Sequence, residues 1–335
     1  MDAGQPSQQV AGGAETFMPP GFPPVLSPSV PYDERTFNLT QHTQSTEPPK
    51  LTEFGVGAGD PVKVALECAT ASGGIRFPFI CAANSLLPGG RYLDFGPTYE
   101  QEFCNRSNLL DTLTRKWPGM NDVSLYPISA TGGIFSDRVA VYLGPREDNY
   151  EYLDPIPDLP VILVPPVRKP IVKGNGSLYQ FREDDSTMRS KICGALRICL
   201  HNNYDRVVIG DFGLGDGNHN PPQAVAEIWR DLLLFDPNLR GQFQYVVFAF
   251  PDPTQNTTEL HRDAHEREVG AAHETRWHDT TARIGTSSTM VDLPIRTPAP
   301  TDVEIFESVF HIDEIKRVCE EAAGRFELIN RQMLS

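Results

Sequence analysis

No run of about 18 apolar residues, the length a membrane-spanning helix needs, occurs anywhere in this chain of 335 residues. The opening stretch MDAGQPSQQVAGG lacks a basic n-region and an apolar h-region. That predicts a chain not exported by a signal peptide and resident in the cytoplasm or nucleus. Close-spaced cysteines are missing as well. Cys68, Cys81, Cys104, Cys193, Cys199 and Cys319 show no C-x-x-C pattern, and several sit in apolar segments, which reads as reduced buried thiols and no metal site. The sequons at Asn38, Asn105, Asn175 and Asn256 are then expected to stay unused. Basic residues are few, 29 Lys and Arg against 44 Asp and Glu, for a formal charge of −15. Such a field repels polyanions and excludes general nucleic-acid or anionic-membrane binding. Any phosphate site must be local, made of backbone N–H groups and one or two basic side chains.

What is there suffices for a core: 39% of the residues are apolar. Residues 1–50 hold many of the 30 prolines together with Gly, Ser, Thr and Gln, and are predicted to form a disordered arm. The segments VKVAL (62–66), FPFICAAN (77–84), RVAVYL (138–143) and LPVILVP (159–165) read as strands. Between 186 and 202, Met188, Ile192, Ala195, Leu196, Cys199 and Leu200 recur at spacings of three and four, which predicts a helix capped by Asp185 or Ser186. RVVIGDF (206–212) is the next strand, GLGDGNHN a turn, residues 221–234 a helix capped by Asn220, and QYVVFAFPD (244–252) a strand. That order makes a βαβ unit with parallel pairing. Residues 253–300 are polar and read as a flexible linker, in which His261, His265, His273 and His278 are solvated and miss metalloprotease spacing. One apolar stripe predicts a C-terminal helix over 302–333, suited either to dock on the domain or to bind a partner.

Chemistry concentrates in two glycine-rich loops, each directly after a strand. The first carries Gly89 and Gly90, which let the backbone approach a ligand, followed by Glu100, Gln101 and Glu102. In the second, the amides of Gly213, Leu214, Gly215, Asp216, Gly217 and Asn218 turn toward a helix N-terminus and are suited to cradle a diphosphate. Two such loops at the carboxyl ends of neighbouring strands make a nucleotide cleft. A Rossmann-like, NAD-binding reading of Gly213-x-Gly215-x-Gly217 is the weaker one, because the third glycine is at the wrong spacing and no acid lies about 20 residues on; tighter binding of NAD than of ADP-ribose would mark it. The DFG at 211–213 lacks the other kinase motifs.

AANS (82–85) followed by PGG (88–90) resembles the Asn-bearing strand and glycine loop of macrodomains, and the stretch through CNRSNL (104–109) is similar to the signature of microbial-type poly(ADP-ribose) glycohydrolases. SLYPISATGGIFSDRVAVY (124–142) and VVIGDFGLGDGNHNPPQAVAEIW with YVVFAF follow in that family's order, so the likeness spans about residues 51–252. It implies a three-layer α/β/α macrodomain around a mixed sheet, binding ADP-ribose or ADP-ribosylated protein without a cofactor. Asn84, Gly89, Gly90 and Arg91 would belong to the binding site, Arg91 standing where the family has a third glycine and offering a guanidinium to phosphate. The family's Gln-Glu-Glu triplet, whose second Glu acts on the ribose linkage, aligns in two ways. Anchored on Cys104 and Ser107 it falls on Tyr99, Glu100 and Gln101; shifted by one it falls on Glu100, Gln101 and Glu102. The first puts an amide at the catalytic position, and the second restores an acid. The resemblance thus implies either a glycohydrolase acting through Glu102 or Glu100, or an inactive domain that reads or scaffolds ADP-ribosylated partners. The family's apolar and aromatic pair in the second loop falls on Asp216 and Gly217.

Overall fold

The computed structural model describes residues 27–33, 52–90, 98–116, 124–173, 176–267 and 297–333. Its centre is a seven-stranded mixed sheet in the order β1-β4-β5-β3-β6-β7-β2. The strands are β1 (Val30–Tyr32), β2 (Glu53–Ala58), β3 (Phe79–Ala82), β4 (Gly133–Ala140), β5 (Asp158–Val164), β6 (Arg206–Ile209) and β7 (Tyr245–Phe250). From β5 to β2 every pairing is parallel, and β4 and β1 are added antiparallel at one side.

Successive side chains of a strand point to opposite faces, and both faces of this sheet are covered. Ile80, Ile162, Val207, Ile209 and Phe248 face one layer, formed by α4 (Arg182–His201), α6 (Pro222–Phe235) and α8 (Asp302–Val309). Phe79, Cys81, Val161, Leu163 and Val208 face the other, formed by α1 (Pro61–Ala71), α2 (Tyr99–Arg106) and α3 (Leu109–Thr114). The architecture is therefore the expected three-layer α/β/α one. Three more helices complete it: α5 (Gly215–Asn218), α7 over 257–267, and α9 (Ile312–Met333).

Several local expectations are corrected. VKVAL is not a strand but lies in α1: the Asp60 carboxylate accepts from the Lys63 amide (2.9 Å) and Pro61 occupies the first turn. Capping with a preset proline φ outweighs the β preference of two valines. The strand comes earlier, in EFGVGA, where Gly55 and Gly57 dilute the β signal. Helix α4 starts at Arg182 rather than 186; its first turn carries Glu183, Asp184 and Asp185, which complement the helix dipole. The residue before α6 is Pro221, and Asn220 caps nothing. Its carboxamide donates to the carbonyls of Val167 (2.6 Å) and Gly213 (2.8 Å) and accepts from the Tyr179 hydroxyl (2.9 Å).

Within the expected N-terminal arm, β1 pairs with β4, and the Ser29 hydroxyl donates to the Thr112 carbonyl (3.1 Å). The rest of the arm lies outside the described residues. In the segment expected to be a linker, 257–267 is helical and His261 is buried, its ring edge-on to His219 with centroids 5.8 Å apart. His273 and His278 lie outside the described residues. Instead of one C-terminal helix there are two, α8 and α9, and Val303, Ile305 and Phe306 of α8 belong to the core. No helix among the described residues is long and apolar enough to cross a membrane.

Candidate functional site

Strands β3 and β6 are adjacent and parallel, with Phe79 opposite Val208 and Ile80 opposite Ile209. The two glycine-rich loops that follow them therefore leave the same edge of the sheet side by side.

The first loop is shaped by Asn84. Its side-chain oxygen accepts from the amides of Leu86 (2.8 Å) and Leu87 (3.0 Å), which turns the chain back on itself. Gly89 and Gly90 then take φ values of 70° and 75°, in the left-handed region where a Cβ is unfavourable. Helix α2 packs against this turn. The Asn84 amide donates to one oxygen of Glu100 (2.7 Å) and the Gly89 amide to the other (3.0 Å), so the Glu100 carboxyl ties both ends of the loop to the helix. Glu100 is only 2% exposed, and burial pushes its pKa up to about 7 against the pull of the two amides.

Gln101 is also buried and lies beside the loop: a Cβ built on Gly90 would stand 3.5 Å from its Nε2 and 3.7 Å from Asn84 Cβ. Its oxygen accepts from the Thr98 amide (3.0 Å), while the Thr98 hydroxyl accepts from the Gln101 amide (3.4 Å), closing a capping box. Its Nε2 has no hydrogen-bond partner among the described residues. Glu102 points elsewhere, because residues two apart on a helix do not share a face. Burial, with the neighbouring Asp60 and Glu147, raises its pKa, and Arg106 and Arg146 pull it down.

That opposite face carries a buried ion pair that the sequence reading did not single out. Arg106 Nη2 donates to Asp60 (2.8 Å) and to the Tyr99 hydroxyl (3.0 Å), and Tyr99 donates to the same Asp60 oxygen (2.7 Å). Arg106 is 1% exposed. It lines a cavity of about 450 Å³ with Val62, Leu66, Val141 and Leu153, and the cavity shares no residue with either glycine loop.

The second loop begins at Gly210. Phe212 is buried against Trp229, with ring centroids 5.7 Å apart, and the chain turns at Gly213 and Gly215, with φ of 79° and 68°. Leu214 is buried, whereas a Cβ on Gly217 would meet open space. The amide of Gly215 is already engaged, donating to the Thr257 hydroxyl (2.8 Å). The Asn218 carbonyl accepts from the Lys169 amide (2.7 Å). Asp211, at the entry of the loop, is pushed up to about 6 by burial and by the Asp302 carboxylate. Asp216 lies in α5. Arg91 lies outside the described residues. The described residues contain no grouping of His, Cys, Asp and Glu suited to a metal ion.

An α/β/α domain on a mixed sheet, with two glycine loops at one edge of its parallel part, defines the class. Among solved structures, the chain is similar to the poly(ADP-ribose) glycohydrolase of Thermomonospora curvata, with a TM-score of 0.55 and 20% identity over 71% of this chain and 85% of that one. The same enzyme bound to the inhibitor ADP-HPD gives 0.52 and 22% identity, covering 72% of this chain and 84% of that one. A point variant of the Deinococcus radiodurans enzyme in complex with ADP-ribose gives 0.51 and 19%, over 72% of this chain and 93% of that one. The chain has the fold of these bacterial poly(ADP-ribose) glycohydrolases. No protein-family model matches it, and no curated protein matches it in sequence.

Proposed function

We propose that this chain binds ADP-ribose, free or attached to protein, and that it reads the group without hydrolysing it. The fold supports the ligand, since the similar structures include glycohydrolase complexes with ADP-ribose and with ADP-HPD. The observation that carries the loss of chemistry is Gln101. Cleaving a glycosidic bond needs a carboxyl group that protonates the leaving oxygen and then activates water. The side chain nearest Gly90 is the Gln101 carboxamide, which transfers no proton at neutral pH. Glu100 has both oxygens engaged by backbone amides, and Glu102 shares its surroundings with Asp60 and Arg106.

A second reading, slow hydrolysis with Glu100 as the proton donor, is favoured by one observation: its pKa of about 7 keeps a fraction protonated at neutral pH. Calorimetry with ADP-ribose and NAD, run beside a release assay on poly(ADP-ribosyl)ated protein, separates the readings. We expect ADP-ribose to bind more tightly than NAD and no ADP-ribose to be released. Gln101→Glu should then bring release to roughly 10²-fold above the background seen with the wild type, the lower end of what acid–base help supplies. Release by the wild type that Glu100→Gln abolishes, with binding kept, would establish the second reading instead.

A further inference from the structure

Helix α8 opens on a residue whose partners lie in another part of the molecule. Asp302 is fully buried, at 0% exposure, and has no ion-pair partner among the described residues. Its carboxylate accepts the Thr257 amide on one oxygen (2.9 Å), and the Thr257 hydroxyl (2.6 Å) and the Gln255 amide nitrogen (2.9 Å) on the other. The Asp302 amide donates to the Gln255 carbonyl (2.9 Å).

A threonine hydroxyl has one proton and two lone pairs. Here the proton goes to Asp302, so the oxygen is left to accept, and it accepts the Gly215 amide at 2.8 Å. The direction of the chain is thereby set: Gly215 N–H to Thr257 O–H to the Asp302 carboxylate, with the charge strengthening both links. Gln255 adds a second contact: its carboxamide, bonded to Asp302, stands against Gly215, where a Cβ would collide with it. Burial, with the Asp252 carboxylate, raises the pKa of Asp302. An apolar residue would fill the core there at lower cost, and it would leave Gly215 without this support.

Resting on the ADP-ribose reading above, we infer that Asp302 is a positioning residue for the ligand's diphosphate: through Thr257 it holds the Gly213–Gly217 turn in the shape that receives the phosphates. Asp302, at the start of α8, then belongs to the binding site's framework, although it lies outside the stretch whose sequence motifs resemble the glycohydrolases.

Calorimetry with ADP-ribose on the full chain tests this in four proteins: wild type, Thr257→Val, Thr257→Ser and Phe306→Ala. Thr257→Val keeps the shape and removes the relay, so affinity should fall by about tenfold, the worth of one well-placed hydrogen bond. Thr257→Ser retains the hydroxyl and should bind within about twofold of wild type. Phe306→Ala weakens the seat of α8 without touching the relay. Assayed well below its own thermal midpoint, it should lower stability and leave affinity unchanged. Wild-type affinity in Thr257→Val overturns the inference, as does an equal loss in Phe306→Ala, which would mean that α8 acts only through general packing. If the wild type itself fails to bind ADP-ribose, the reading beneath the inference is wrong and both fall together.

Discussion

Glu100 shows how a single carboxyl can be read for its type but not for its direction. Its acid character is plain in the sequence, yet whether residue 100, 101 or 102 meets the glycine loop depends on the rotational phase of α2 at about 100° per residue. Packing set that phase, with Phe103 and Cys104 buried against the sheet. The buried carboxyl also predicts a pH effect. Its folded pKa of about 7 lies above the ordinary 4.5, so its contribution to stability is complete below about 4.5 and is lost as pH rises through 7. A shift of that size corresponds to something on the order of 3 kcal/mol. The difference in urea-unfolding free energy between wild type and Glu100→Gln should therefore shrink steadily from pH 4.5 to 7. A difference that stays constant across the window would show that the carboxyl does not titrate there.

Helix α2 has only eight residues, too few to be stable alone, and its start is fixed by the capping box of Thr98 and Gln101. The box gives Gln101 a structural task, which holds its oxygen on the Thr98 amide and leaves Nε2 on the side of Gly90. Thr98→Ala should lower the unfolding free energy by about 1 kcal/mol, while Thr98→Ser should hold it within a few tenths. Chemical denaturation checks this, and equal stability of all three proteins would mean the cap is idle. The T-x-x-Q pattern of residues 98–101 went unread as a cap, and so did the D-P start of α1, because the valines that follow it read as a strand. The β2 strand was hidden for the opposite reason, since its glycines carry little β preference and its place is decided by pairing with β7.

Across the whole molecule, the C-terminal segment belongs to the same core as the sheet. Phe306 packs edge-on to Phe248 and Phe250, with centroids 5.1 Å away in each case, and is 2% exposed. Phe306→Ala should cost about 3–5 kcal/mol and move the urea transition of the entire domain. A transition left where it was, monitored at Trp229 in the same core cluster, would mean that the segment folds as a separate module.

The run of β5, α4, β6, α6 and β7 and the two glycine-rich loops were legible in the sequence itself, because periodicity and glycine placement report interactions within a few residues, whereas the three-layer architecture was implied only by the resemblance to macrodomains. Asn84 and the two glycines after it are such local features. What only the tertiary structure decided are the contacts that span long separations. Thr257 meets Gly215 across 42 residues and Asp302 across 45, from a polar stretch that resembles a linker when read alone. A threonine or an aspartate carries no local mark of the loop it will support. Its partner is chosen by how the sheet brings distant segments to one edge, and burial there gives the hydrogen bonds their strength.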